Sequence, residues 1–293
     1  MPLDQELNEE KEMSFLDHLE ELRWHLIRSL IAICVFTIGA FLSAKWIFEN
    51  IIFAPARPEF PTFKALCRLA DLLNQEGLCI TDIPFKVQSR NMTGQFTMHI
   101  MASFIIGLVV AFPYVCWEIW RFVKPGLQRN ERKYSRGAVA AVSVLFFLGI
   151  SFGFYVIAPW MVYFLANYSI SDMVVNEFDI TSYVSTVVLL VFGSGLLFQL
   201  PVVIYFLTKI GIVSPEFLRK YRKHSIIIIL IVAAIVTPPD PLSQMLITIP
   251  LYLLFEISIL ISSGVAKRKA KEEAEELLRE QQSSVHPTDI TQD

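Results

Sequence analysis

Four apolar runs, near Leu26 to Phe48, Phe96 to Trp117, Ala138 to Leu165 and Val184 to Ile210, constrain this chain more than any other feature. A bilayer core of about 30 Å asks for roughly 20 apolar residues in a helix, since lipid offers an open backbone no hydrogen bonds. A water-soluble fold has no way to bury four such runs beside one another and keep a wetted surface. The composition agrees, with 54% hydrophobic and 18% charged residues, against about 25% charged in soluble domains. An all-α, polytopic membrane protein is expected.

Two further apolar runs, Ser225 to Thr237 and Leu242 to Phe255 with an extension to residue 263, are shorter. About 13 or 14 residues give roughly 20 Å of helix at 1.5 Å per residue, too little for an unperturbed bilayer. Pro238, Pro239, Asp240 and Pro241 join them and leave room only for a tight hairpin. The expectation is six transmembrane helices, the last two short and thinning the membrane locally.

Basic residues alternate between loops. Arg121, Lys124, Arg129, Arg132, Lys133 and Arg136 lie between spans two and three, Lys209, Arg219, Lys220, Arg222 and Lys223 before span five, and Lys267, Arg268, Lys269 and Lys271 after span six. The loop between spans three and four carries Asp172, Glu177 and Asp179 and no Lys or Arg. The positive-inside rule then places both termini in the cytoplasm. Residues 49–95, with Arg57, Lys64, Arg68, Lys86 and Arg90 diluted over a long segment, become an extracytoplasmic loop. Residues 1–266 form a single membrane domain that opens with a helix over 14–25. Residues 267–293 form a charged cytoplasmic tail, first helical and then disordered. Asp4, Glu6, Glu9 and Glu10 stand where a cleavable signal would carry basic residues.

No Gly-rich phosphate loop with Lys, no His-Glu-x-x-His and no nucleophile elbow is present, so neither an enzyme, a cofactor nor a metal site is expected. A net charge of −3 implies no nucleic-acid surface. Chemistry is confined to a few polar residues. In the opening helix, Ser14 with Asp17 forms a capping box, and Phe15, Leu19, Leu22 and Leu26 form one apolar stripe. Glu21, His25 and Arg28 share another face, which ordinary helical ion pairs would explain. Glu118 opens the basic loop, whose Trp117, Trp120 and Phe122 suit an interface belt. A sharper reading sets Glu131 of that loop beside Glu21, two carboxylates able to hold two guanidinium groups by bidentate forks. Gln199, two residues before Pro201 in span four, fits either a functional polar site or a hydrogen bond between helices beside a proline kink. Glu256 sits near the cytoplasmic end of span six, within reach of headgroups. Gly149 and Gly153 point to close helix packing. Cys67 and Cys79, in the long outer loop, are compatible with a disulfide and equally with two free thiols.

Several segments, taken in order, resemble the TatC family, the signal-peptide receptor subunit of the twin-arginine protein export system. They are Phe15-Leu16-Asp17-His18-Leu19-Glu20-Glu21-Leu22-Arg23, Ala54-Pro55, Trp120-Arg121-Phe122-Val123-Lys124-Pro125-Gly126-Leu127, Asn130-Glu131-Arg132, Thr237-Pro238-Pro239-Asp240-Pro241-Leu242-Ser243-Gln244, Ile249-Pro250-Leu251-Tyr252 and Phe255-Glu256. The resemblance implies a concave six-helix receptor in a bacterial inner membrane, binding the Arg-Arg signal peptides of folded proteins. It implies that Glu21 and Glu131 take the arginines, with Arg23, Phe122 and Arg132 shaping the same patch. It also implies partner subunits of TatB and TatA type on the short hairpin, where Thr237 and Gln244 match a polar contact cluster, and structural roles for Pro55, Pro201, Pro238, Pro239 and Asp240. Many members carry Glu where this chain has Gln199, which keeps the hydrogen bonds and loses the charge. The first outer loop also looks longer than is usual in the family. The alternative function is a secondary transporter of a small solute or ion using Gln199 and Glu256; its weakness is that the sequence pairs neither with a second buried charge.

Overall fold

The computed structural model describes residues 15–74, 79–80, 82–84, 86–123, 135–171, 173, 176–236 and 241–284. Among these, five helical segments are long and apolar enough to cross a membrane: Leu19–Leu42, Gly94–Val123, Val139–Asn167, Ile180–Ile210 and Gln244–Lys271. The residues gather into two compact units. The first draws on residues up to 50 and from 91 to 144, the second on 51–90 and everything from 145 onward.

The first unit is built on α1 (Phe15–Leu42) and α4 (Gly94–Val123), with the short α2 (Ala44–Ile47) between them in sequence. The opening helix and span one are one continuous α1, because nothing between Glu21 and Leu30 breaks a helix. Its apolar stripe is outward: Leu19, Leu22 and Leu26 are exposed, while His25 and Ser29 are buried. Hydrocarbon inverts the usual burial order, since lipid accepts Leu as readily as a protein interior does. Backbone closeness, not hydrophobic filling, joins α1 to α4. A Cβ on Gly107 would sit 2.6 Å from the Thr37 nitrogen and 2.7 Å from its Cα, so only glycine permits this approach.

The second unit begins with a turn holding Ala54–Ala56, where Pro55 is buried, and α3 (Pro61–Leu73). The long loop between spans one and two is thus folded. Phe60, Phe63 and Ile83 pack with Ala166 into a small apolar core, and Asn74, with φ 51°, closes α3 in the left-handed conformation that Asn tolerates. Two short parallel strands, β1 (Val87–Gln88) and β2 (Phe178–Asp179), tie this loop to the one after span three.

Span three runs as α5 (Ser135–Phe152), one wide π turn at Gly153–Ile157, and α6 (Ala158–Asn167). Pro159 explains the interruption. It cannot donate to the carbonyl one turn earlier, and the Thr62 hydroxyl donates to that orphaned Tyr155 oxygen instead. Span four is α7 (Ile180–Leu197) and α8 (Leu200–Ile210), separated at Phe198–Gln199 with Pro201 in the first turn of α8, where its missing N–H costs nothing. Gly211, at φ +88°, ends α8. Against α7, a Cβ on Gly149 would lie 2.6 Å from the Ser194 carbonyl oxygen, and one on Gly153 would lie 2.9 Å from the Val191 Cα.

After α9 (Pro215–Lys220), capped by the Ser214 hydroxyl accepting from the Phe217 N–H at 3.2 Å, come α10 (Arg222–Val236) and α11 (Pro241–Ser284). The expected pair of short helices divides here. The 15-residue α10 is short, but α11 continues for 44 residues. Glu256 does not interrupt it, because Arg222 and Tyr252 both reach the carboxylate. Thr237, Pro238, Pro239 and Asp240 lie outside the described residues, as do Ser14, Glu131 and Arg132.

Candidate functional site

The polar residues of the first unit meet on one stretch of the α1–α4 contact. Helical spacing puts Glu21, His25 and Ser29 one turn apart on a single face of α1. That face is turned toward α4, where Tyr114 and Glu118 follow the same spacing. Glu118 is 1% exposed. A carboxylate so buried persists only when its lone pairs are occupied. His25 Nδ1 lies 2.5 Å from Glu118 Oε2, and the Tyr114 hydroxyl donates to the same side chain. A carboxylate can only accept, so Nδ1 carries the shared proton. The Ser29 hydroxyl donates to the His25 carbonyl at 2.9 Å, and Phe122 meets the imidazole edge-to-face with centroids 6.3 Å apart. Arg28 acts electrostatically on both Tyr114 and Glu118, and Arg121 on Tyr114; Arg121 also stacks over the Trp117 ring at 5.8 Å.

Glu21 occupies the outer rim of this cluster. Its Oε1 stands 3.8 Å from His25 Nε2, and its side chain is 34% exposed. Its other oxygen, Oε2, is shielded from solvent and accepts no hydrogen bond among the described residues. Such an atom is costly, by about 1–3 kcal/mol for a neutral group and more for a charged one. Oε2 thus keeps an unused capacity to accept.

Of the residues read from sequence, the structure brings Glu21 and Phe122 to the same cluster and leaves Arg23 exposed two residues further round α1. Gln199 is partly buried at the break between α7 and α8, where its carbonyl accepts from Val202 and Val203. Glu256, expected to stand apart from other charges, is bound by Arg222 Nη2 at 2.7 Å and by the Tyr252 hydroxyl at 3.0 Å. Gln244 Nε2 donates to the Leu230 carbonyl at 3.3 Å, fastening α11 to α10. Cys67 and Cys79 are joined by a disulfide, their Cα atoms 4.2 Å apart. Among the described residues no cluster of His, Cys, Asp or Glu could hold a metal ion.

Glu118 is the residue that sequence reading assigned wrongly, as the start of a loop. The signal was present: a lone carboxylate one turn after Tyr114 in an apolar run calls for a buried partner, and His25 on the opening helix is a polar group at matching depth. The paired loops after spans one and three hold one further polar device. Asp179 caps α7 by accepting from the Thr181 N–H at 2.8 Å and from its hydroxyl, and also accepts from the Arg90 N–H at 3.0 Å. These bonds, the Thr181 hydroxyl first, hold its carboxyl below the ordinary aspartate range.

Residues 17–250 match the family model described as Sec-independent protein translocase protein (TatC). A TatC protein from Blattabacterium sp. subsp. Periplaneta americana is 39% identical over 264 residues, covering 89% of this chain and 99% of that relative. The TatCy protein of Bacillus subtilis is 35% identical, covering 90% of this chain and 94% of its own. A crystal structure of a twin arginine translocase receptor, TatC, superposes with a TM-score of 0.63 at 29% identity, covering 85% of this chain and 99% of that one. With this agreement in sequence and in backbone, the chain is a multi-pass membrane protein belonging to the TatC family of protein-translocase components.

Proposed function

We propose that this chain is the core receptor subunit of a twin-arginine translocon, binding Arg-Arg signal peptides of folded proteins at the cytoplasmic face of a bacterial inner membrane. The observation that carries the reading is Glu21, a carboxylate with one oxygen oriented toward His25 and the other shielded and without a partner among the described residues. A guanidinium supplies the planar pair of donors that such a group lacks, and an ammonium does not. Glu131 takes the second arginine, and Arg23, Phe122 and Arg132 border the patch. The related crystal structure, that of a twin arginine translocase receptor, supports the same reading.

In this reading the chain spans six times, α10 being the short member that thins the bilayer, with a concave receptor face and both termini cytoplasmic. Residues 1–266 make one membrane domain, 49–95 the extracytoplasmic loop and 267–293 the tail. Single-span partners of TatB and TatA type pack beside Thr237 and Gln244 at the hairpin, and the protein works as part of an oligomeric complex.

The test is equilibrium binding of an Arg-Arg signal peptide and its Lys-Lys counterpart to purified protein. Glu21→Gln with Glu131→Gln is expected to weaken Arg-Arg binding by about 2 kcal/mol or more, the scale of desolvated charge-assisted pairs. Equal affinity of parent and double variant for both peptides overturns the reading.

A further inference from the structure

Glu118 and His25 are buried, mutually bonded and absent from the receptor reading, and their geometry gives them a task in it. We infer that Glu118, acting through the His25 imidazole, is a positioning residue that sets the carboxylate of Glu21 for an incoming guanidinium. The inference rests on the reading of Glu21 as an arginine-binding group.

The imidazole has two nitrogens and the structure places a different carboxylate at each. Nδ1 is fixed by Glu118 Oε2 at 2.5 Å, and Glu118 is in turn fixed by the Tyr114 hydroxyl one helical turn earlier. Phe122 abuts the ring edge-to-face and Ser29 ties the His25 carbonyl. A ring so constrained has little freedom about either side-chain torsion, so Nε2 is aimed along α1 at Glu21 Oε1, 3.8 Å away. That distance is too long for a hydrogen bond, and with the ring proton on Nδ1 the Nε2 atom stands beside Glu21 as a second acceptor. Glu21 is therefore packed against the ring without being consumed: one oxygen faces the imidazole edge and Oε2 remains shielded, with no partner among the described residues. A surface glutamate with no such neighbour would sample several rotamers and lose that order before each binding event. The charged groups around the imidazole are Glu21 and Arg28 on α1 and Glu118 on α4, with Arg121 further along α4.

The arrangement is the outer-shell logic by which a second carboxylate orients a histidine and the histidine orients a ligand group. Nothing in it requires Glu118 to touch the peptide, which its burial prevents.

Binding of an Arg-Arg signal peptide to detergent-purified full-length protein, with thermal unfolding recorded on each variant, tests the inference. Glu118→Ala is expected to weaken binding about tenfold, the usual cost of freeing an outer-shell partner. Glu118→Gln, whose amide oxygen still accepts from Nδ1–H, is expected to restore most of it. Selective 15N labelling of histidine supplies a readout that a merely structural role would not move: in the parent the Nε2 resonance of His25 shifts on adding peptide, and in Glu118→Ala it does not. Folded Glu118→Ala that binds as the parent does overturns the positioning role while leaving the receptor reading intact. A Glu118→Gln as weak as Glu118→Ala, or an Nε2 resonance indifferent to peptide, overturns it equally. Should Glu21→Gln itself bind as the parent, the receptor reading fails first.

Discussion

A carboxylate inside a membrane helix survives only in company, and this chain shows two ways of providing it. Glu118 is buried with His25 and Tyr114, whereas Glu256 lies partly exposed and is held by Arg222 and Tyr252. The first is locked by packing; the second is an ion pair left open on one side. Asp179, outside the spans, is different again, because it organises backbone. Its carboxyl is held below the ordinary aspartate range by hydrogen bonds made only in the folded chain. The folded state thus gains stability above the unfolded pKa and loses it as pH falls through the lowered folded value. Hydrogen exchange at the Thr181 and Arg90 amides, corrected for intrinsic rates, is expected to accelerate as pH drops through that window. In Asp179→Asn, which still caps but cannot titrate, the acceleration should vanish; an unchanged profile would assign the effect elsewhere.

Among helices, close backbone approach is the organising device. Gly107 lets α4 come against Thr37 of α1, and Gly149 and Gly153 do the same for span three against α7. In Gly107→Val, the added atoms meet backbone that cannot swing aside, and the expected loss is about 1–3 kcal/mol of stability, read as a lower thermal midpoint in detergent; an unshifted midpoint would show that the contact is loose. The glycine spacing of span three and the break at Pro201 could be read from sequence because each depends on residues near one another in the chain. The π turn at Gly153–Ile157 could not, since it is set by Pro159 together with Thr62, 97 residues earlier. The same holds for Glu118, whose partner lies 93 residues away. Length misled at the hairpin: the apolar pattern stopped at Glu256, but a helix stops where its backbone bonds stop, and α11 runs on to Ser284.

For the whole molecule, the legible part was the four long apolar runs, each overlapping a helical segment able to cross a membrane, whereas the fifth such segment, Gln244–Lys271, was expected to be short. The folded state of the long loop between spans one and two was hidden, because Phe60 and Phe63 find Ala166 only across the chain. The proposed topology has a direct check. In a background lacking Cys34 and Cys116, Met173→Cys should react with an impermeant thiol reagent added outside intact cells, and Ser284→Cys only after the membrane is opened; the reverse pattern would contradict the sidedness, and labelling of both from one side would contradict three spans between them.

The claim on which the account turns is that an arginine pair is received beside Glu21. A photoreactive phenylalanine at position 122 measures this most directly, with an Arg-Arg signal peptide as bait in membranes holding the full chain. The account predicts an adduct that unlabelled Arg-Arg peptide competes away, that Lys-Lys peptide does not, and that Glu21→Gln removes. An adduct of equal yield with the Lys-Lys peptide, or one that survives Glu21→Gln, contradicts it.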